Sequence, residues 1–319
     1  MYSVFLRVGW FAFLLTALFT AAFPQSPQKP SLETILSSAE RQRENYIREF
    51  KNLLSQETKT FSIHDRRGEV KKRRSVVSIF IVYQFSKDEQ AVAEFRNVIS
   101  VDGRKLNDSD KRAQEFFEDI SRAESVGKEI DKLEREGTRF DEGLSINGLT
   151  LFQAPVLAEN LRPNFEFSIE ETQRVSGREI YVIRYRQIRE TPYISIDPDR
   201  SVRDGKSSIV YDIEISDARN ARPRQSGRLW IEAGSGRLWK ETRTLTIQPE
   251  GFAEPAVVAE AELEYQDNGF DMLTPKNITF TQFRPAKRRE DFRKEISVRF
   301  EYVDFTKPDV EVKEADVKN

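Results

Sequence analysis

Of the side chains that most often act as nucleophile, base or metal ligand, this 319-residue sequence lacks one type and nearly lacks another. Cysteine is absent and histidine occurs once, at His64, which removes thiol chemistry, disulfides, lipid attachment to a cysteine and the usual zinc ligand sets. A Ser/His/Asp triad could be built only on His64, which sits beside Asp65 at a polar strand end, and the chain has no G-x-S-x-G turn to present a serine. No P-loop and no G-x-G-x-x-G cradle for phosphates is present. No cofactor is therefore expected.

Carboxylates are plentiful, and two of them suffice for glycoside hydrolysis, so composition leaves that class open. Glu260, Glu262 and Glu264 form the most conspicuous group, but they alternate with Ala259, Ala261 and Leu263 and so read as the solvated face of a strand. Asp102-Gly103 and Asp197-Pro198-Asp199 lack the ligand spacing of a calcium loop and read as turns. Three basic runs, Lys71-Lys72-Arg73-Arg74, Arg219 to Arg228 and Lys287-Arg288-Arg289, are expected at hairpin tips or loops, where they give solubility or a peripheral contact with an anionic membrane surface. Six aromatic residues, Phe165, Phe167, Tyr185, Phe280, Phe300 and Tyr302, fall in apolar strand rows and are candidates for lining an apolar ligand site, the alternative being ordinary core.

The elements that must position these residues follow from periodicity. Residues 1–22 read as a cleavable secretory signal peptide: Arg7 precedes an apolar run from Val8 to Phe19, shorter than the roughly twenty residues of a membrane helix, with Thr20 and Ala22 before the cut at Phe23. After a Pro/Gln/Ser linker, Ser31 caps a helix with apolar positions Leu32, Ile35, Leu36, Ala39, Tyr46, Phe50, Leu53 and Leu54. Strands follow over Thr58 to Ile63 and Ser75 to Phe85, the latter apolar on both faces and so expected to be buried on both, with a third around Phe95, Ile99 and Val101. A long amphipathic helix is predicted over about 108–136, and Leu149 to Leu161 reads as helix or irregular cover broken at Pro155.

Beyond Pro163 the chain reads as almost purely β. Rows such as Phe165-Phe167-Ile169, Tyr181-Ile183-Tyr185 and Ile209-Tyr211-Ile213-Ile215 are separated by turn chemistry at Ser176-Gly177 and Asp204-Gly205. Rows through Val257 to Tyr265, Ile278 to Phe280 and Ile296 to Tyr302 complete them, and the chain from 307 to 319 is too polar to pack. The fold class predicted is α+β, an antiparallel half-barrel or β meander whose concave face is covered by helices, in a single domain over 23–306 carrying the long helix as an insertion.

Gly227-Arg228-Leu229-Trp230-Ile231-Glu232 followed by Gly236-Arg237-Leu238-Trp239-Lys240-Glu241 resembles the hairpin of the lipoprotein-carrier fold of LolA, LolB and RseB. The opening is similar too: a signal peptide, a helix, then a strand carrying Glu57 and a hairpin. The resemblance implies an unclosed half-barrel with an apolar cavity under its helices. The expectation for function is an exported, periplasmic or secreted, non-enzymatic protein that binds a lipid or lipoprotein acyl chain on its concave face. The alternative is an envelope protein-protein interaction module with a filled core, and a carboxylate hydrolase is the third reading. A formal net charge of −2, one unit lower once a leader with Arg7 is removed, excludes general nucleic-acid binding.

Overall fold

The computed structural model describes residues 29–307 except 52, 86–87, 108, 122–125, 145, 147, 198–201, 203, 205, 212, 214–221, 249–253 and 286–291. The expected leader, the Lys287-Arg288-Arg289 run and nearly all of the expected tail lie outside the described residues. The chain divides into a short unit, Met1–Ser31, almost all of it outside those residues, and a second unit, Leu32–Asn319, that carries the fold.

Eleven strands make one sheet. In chain order they are β1 (Leu54–His64), β2 (Val70–Phe85), β3 (Asp88–Val101), β4 (Arg104–Lys105), β5 (Phe165–Val175), β6 (Arg178–Gln187), β9 (Arg224–Glu232), β10 (Leu238–Ile247), β11 (Ala256–Gln266), β12 (Thr274–Pro285) and β13 (Phe292–Thr306). Two further short strands, β7 (Ile194–Ser195) and β8 (Ile209–Val210), pair in parallel with each other. The large sheet runs β4-β3-β2-β1-β13-β12-β11-β10-β9-β6-β5, with β4 and β5 as its two edge strands. Every ladder in it is antiparallel, so the fold is the open α+β half-barrel anticipated above. β5 and β6 are joined by a tight turn at Ser176-Gly177, where both residues take the positive φ (50° and 80°) that a two-residue hairpin turn requires.

Alternation decides one inner face for the whole sheet. The pairings Glu57↔Ser78, Phe80↔Arg96, Lys59↔Phe300, Ile278↔Phe300, Leu263↔Ile278, Glu241↔Leu263, Leu229↔Glu241 and Ile183↔Leu229 carry it from β3 to β6, and all these residues are buried. On β2 the inner residues Val76, Phe80 and Val82 are fully buried, whereas Val77, Ile79 and Ile81 on the other face are only half-buried. The expectation of burial on both faces therefore holds for one face alone, since apolar residues can also sit half-covered on an outer sheet surface.

The inner face is covered from above. Helix α1 (Leu32–Glu49) presents Ile35, Leu36, Ala39, Arg43 and Tyr46 at helical spacing, its Tyr46 ring edge-on to Tyr265 of β11 at 6.3 Å. Leu53 and Leu54, expected to continue that helix, lie beyond its end, and Leu54 opens β1. The hairpin residue Gly236, at φ 74°, lies so close to Ser38 that a Cβ would sit 2.4 Å from its Oγ, so α1 can settle onto this turn only over glycine. The predicted long helix is seen as α2 (Ser109–Ser121) and α3 (Val126–Thr138), and α3 packs along β3 with Gly137 against the Arg96 side chain. Irregular chain from 139 to 164, with single 3-10 turns at Pro155–Leu157 and Arg162–Asn164, fills the space between. The row from Ile209 to Ile213 is not a strand of the large sheet: Tyr211 and Ile213 bond back to Ser195 and Ile196, and the Tyr211 ring reaches Phe280 at 6.5 Å. Its apolar side chains are buried as cover rather than as sheet.

Candidate functional site

The six aromatic candidates all reach positions in or beside the inner face. Phe165, Phe167 and Tyr185 come together on β5 and β6, with centroids 5.8 to 6.3 Å apart. Tyr185 donates to Thr242 O at 2.9 Å and lies over Gly227, where a Cβ would meet its hydroxyl at 2.6 Å. Phe280, Phe300 and Tyr302 sit apart from that trio on β12 and β13; Tyr302 packs edge-on against Phe80 at 5.4 Å, and Phe300 lies beneath the Lys59 ammonium at 5.6 Å. Phe167 is half-buried, and the other five are buried against protein, Phe280 at 6% exposure and Tyr185 at 0%.

Sequence reasoning missed the charged groups among them. Arg96 Nε donates to Glu57 Oε1 at 2.7 Å, its Nη1 pairs with Glu94 Oε2 at 2.9 Å, and its guanidinium stacks over Phe80. Lys59 Nζ donates to both oxygens of Asp141 at 3.0 and 3.1 Å. Burial alone lowers Arg96, but Glu57 and Glu94 outweigh it and hold the guanidinium well above its ordinary value. Burial lowers Lys59, helped by the like charge of Arg96, and burial raises Asp141, so this pair is weakened by the very enclosure that holds it. Further along the face, Arg243 binds both oxygens of Glu241 at 2.8 and 2.9 Å.

These side chains hold the cover. Glu94 accepts from Gly148 N, Thr150 N and Thr150 Oγ1, Glu241 accepts from Ala154 N at 3.0 Å, and Arg243 donates to Phe152 O. Tyr46 of α1 donates to Thr150 O at 2.6 Å. Residues 148–154 thus form a strap without regular secondary structure whose backbone groups are satisfied by buried side chains rather than by a ladder. Beside it, Arg162 ties α1 down through Glu33 at 2.7 Å and Glu40 at 2.9 Å, and Arg43 donates to Ser207 Oγ at 2.7 Å. A strand with Ser55, Glu57, Lys59 and Phe61 on one side and Gln56, Thr58, Thr60 and Ser62 on the other has no clear apolar face, so only alternating burial in the fold could reveal these charges as internal.

Among solved structures the chain is similar to a LolA superfamily protein from Nitrosomonas europaea, at 10% identity over 88% of this chain and 95% of that one, with a TM-score of 0.30. A DUF1329 family protein from Desulfovibrio piger overlaps at 11% identity over 89% and 95% of the two chains, TM-score 0.31. An outer membrane lipoprotein-sorting protein domain from Vibrio parahaemolyticus overlaps at 7% identity over 85% and 91%, TM-score 0.31. Superpositions this loose carry no argument about function. No protein-family model matches the sequence, and no curated protein matches it significantly.

The remaining sequence expectations are placed as follows. Glu260 and Glu262 are exposed, and Glu264 is half-exposed, on the outer face, where Lys240 Nζ lies 2.8 Å from Glu262 and 3.7 Å from Glu264. His64 is brought to Ser297 of β13, Nε2 to Oγ at 3.0 Å, while its Nδ1 lies 3.0 Å from Gly68 O. A carbonyl can only accept, so Nδ1 carries the hydrogen. Ser297 pairs with β1 on one side and β12 on the other, so the N–H groups there serve the two ladders and no backbone oxyanion hole is built beside it. The Lys71 to Arg74 run lies within β2 and Arg224 to Arg228 within β9, not at tips as expected, because strand alternation lets every second basic residue reach solvent.

Proposed function

We propose that this is an exported, non-enzymatic binding protein that takes an apolar or amphiphilic ligand, the acyl chain of a lipid or lipoprotein, on the concave sheet face once its cover is displaced. The observation that carries the reading is the kind of cover. An inner face that is apolar apart from its buried ion pairs is closed by α1, by α3 at the β3 end and by mostly irregular chain, held by a handful of side-chain bonds. Such a cover opens at lower cost than a second sheet, and the rows beneath it, among them Phe165, Tyr185, Phe280 and Phe300, offer apolar surface at roughly 25 cal/mol per Å² removed from water. The export part rests on the leader-like 1–22.

A second reading is favoured by the burial of five of the six aromatic candidates: an envelope interaction module whose face is permanently filled by its own cover. The two are separated by native mass spectrometry of protein from an envelope fraction, read beside uptake of a fluorescent fatty acid by the parent and by Arg162→Ala. Releasing Glu33 and Glu40 of α1 from Arg162 should raise uptake. Absence of co-purifying lipid together with no uptake by either protein ends the carrier reading and leaves the interaction module.

A further inference from the structure

On the outer face, away from the strap, the structure gathers a second set of groups that the carrier reading does not use. The basic run of β2 is divided by strand alternation. Lys72 and Arg74 turn to Glu142, at 2.7 and 2.9 Å, and Arg74 also lies 3.7 Å from Asp102. Arg73 falls opposite Ser62 of β1 on the other side, exposed, and has no ion-pair partner among the described residues. It borders a groove of about 470 Å³ lined by hydroxyls of Thr60, Ser62, Thr279 and Ser297 and by the charges of Arg73, Arg299 and Glu301. Glu301 is engaged by Arg299 at 3.1 Å, which leaves Arg73 as the groove's uncompensated charge.

The hydroxyls are arranged to donate. Registers Thr60↔Arg299, Ser62↔Ser297 and Thr279↔Arg299 set them side by side on β1, β13 and β12, at the close spacing of paired strands. Thr60, Ser62 and Thr279 make no side-chain hydrogen bond among the described residues, so their hydroxyl hydrogens face the groove unspent, whereas Ser297 donates its own to His64 Nε2, the Nδ1–H of that ring being held by Gly68 O. One guanidinium plus several convergent hydroxyl donors is the chemistry that recognises a tetrahedral oxyanion, and the guanidinium fork can meet two of its oxygens.

We propose that this groove binds a phosphate- or sulfate-type oxyanion, either as a free ester or as the headgroup of a lipid, with Arg73 as the charged contact and Ser62, Thr60 and Thr279 as hydroxyl donors. The proposal is independent of what the inner face binds, since the groove lies on the opposite side of the same strands.

The test uses the full chain and two probes, inorganic phosphate by titration calorimetry and vesicles of phosphatidylglycerol in phosphatidylcholine against pure phosphatidylcholine. Arg73→Glu should weaken binding about tenfold or more, as expected for loss of a charge-assisted contact, and Ser62→Ala several-fold. Arg189→Glu, the same charge change at an exposed position beyond β6, near the other end of the sheet, should leave affinity within about twofold because charges that far apart are screened. Phosphate binding with this variant pattern assigns a free oxyanion; vesicle binding with the pattern and no phosphate binding assigns a lipid headgroup. No binding of either probe, equal losses in Arg73→Glu and Arg189→Glu, or an unaffected Ser62→Ala overturns the proposal.

Discussion

Replacing Arg96 by methionine is the sharpest probe of how the inner face is held. The substitution keeps most of the side-chain length and its packing on Phe80 but removes both ionic contacts, to Glu57 at 2.7 Å and to Glu94 at 2.9 Å. The two carboxylates then differ. Glu94 keeps three donors from Gly148 and Thr150, whereas Glu57, fully buried, keeps none, its Oε2 being already without a partner. A buried charge stripped of its counter-ion costs about 3–5 kcal/mol, less what Glu57 recovers by taking up a proton. Urea denaturation should show a midpoint lowered by that amount at an unchanged slope, because the surface exposed on unfolding is the same. Adding Glu57→Gln to the Arg96→Met background should return about 1–3 kcal/mol, since the uncompensated charge is then gone. A loss below about 1 kcal/mol in the single variant, or no return in the double one, would refute the account of a face held by its internal ion chain.

Other outcomes follow from the same geometry. Gly227→Ala places a Cβ 1.9 Å from Thr242 O and 2.6 Å from the Tyr185 hydroxyl, so thermal unfolding should show an overpacking loss of at least about 1–3 kcal/mol, and an unchanged melting temperature would contradict the Tyr185 placement. Burial by itself raises Glu94, but Arg96 and the donors of Gly148 and Thr150 outweigh it and hold the carboxyl below its ordinary value of 4.5. A group depressed in the folded state contributes in full above its unfolded range and loses that contribution as the pH falls through the folded value, so stability should drop on acidification below about 4.5 and drop less steeply in Glu94→Gln. Burial raises Asp141 instead, and its titration runs the opposite way, so Asp141→Asn should make the acid loss steeper. Chelators should leave the melting temperature unchanged, since no acidic or histidine cluster among the described residues could hold a metal ion; a fall of several degrees would show otherwise.

Much of the architecture was legible in the order of residue types. Period-two rows bounded by Ser176-Gly177, by Gly234 to Gly236 and by Asn268-Gly269 predict hairpins wherever they occur, because alternation and positive-φ turn residues act locally, and β5, β6 and β9 to β13 lie where those rows fall. The same local rule predicted α1 from its apolar spacing and an irregular cover around Pro155. It could not show that β1 pairs with β13, that the row from Ile209 to Ile213 leaves the sheet, or that the rows of Phe165 and Phe300 join in one core, since each depends on contacts between distant parts of the chain. Alternation states which residues share a face but not which face is inside. In β1 the inner set is Ser55, Glu57, Lys59 and Phe61, as polar as the outer one, and its charges become tolerable only when Arg96 and Asp141 arrive from 39 and 82 residues away. His64 met Ser297 across 233 residues for the same reason: a polar side chain's role is set by the partner that the tertiary fold delivers, and that partner leaves no trace in the local pattern.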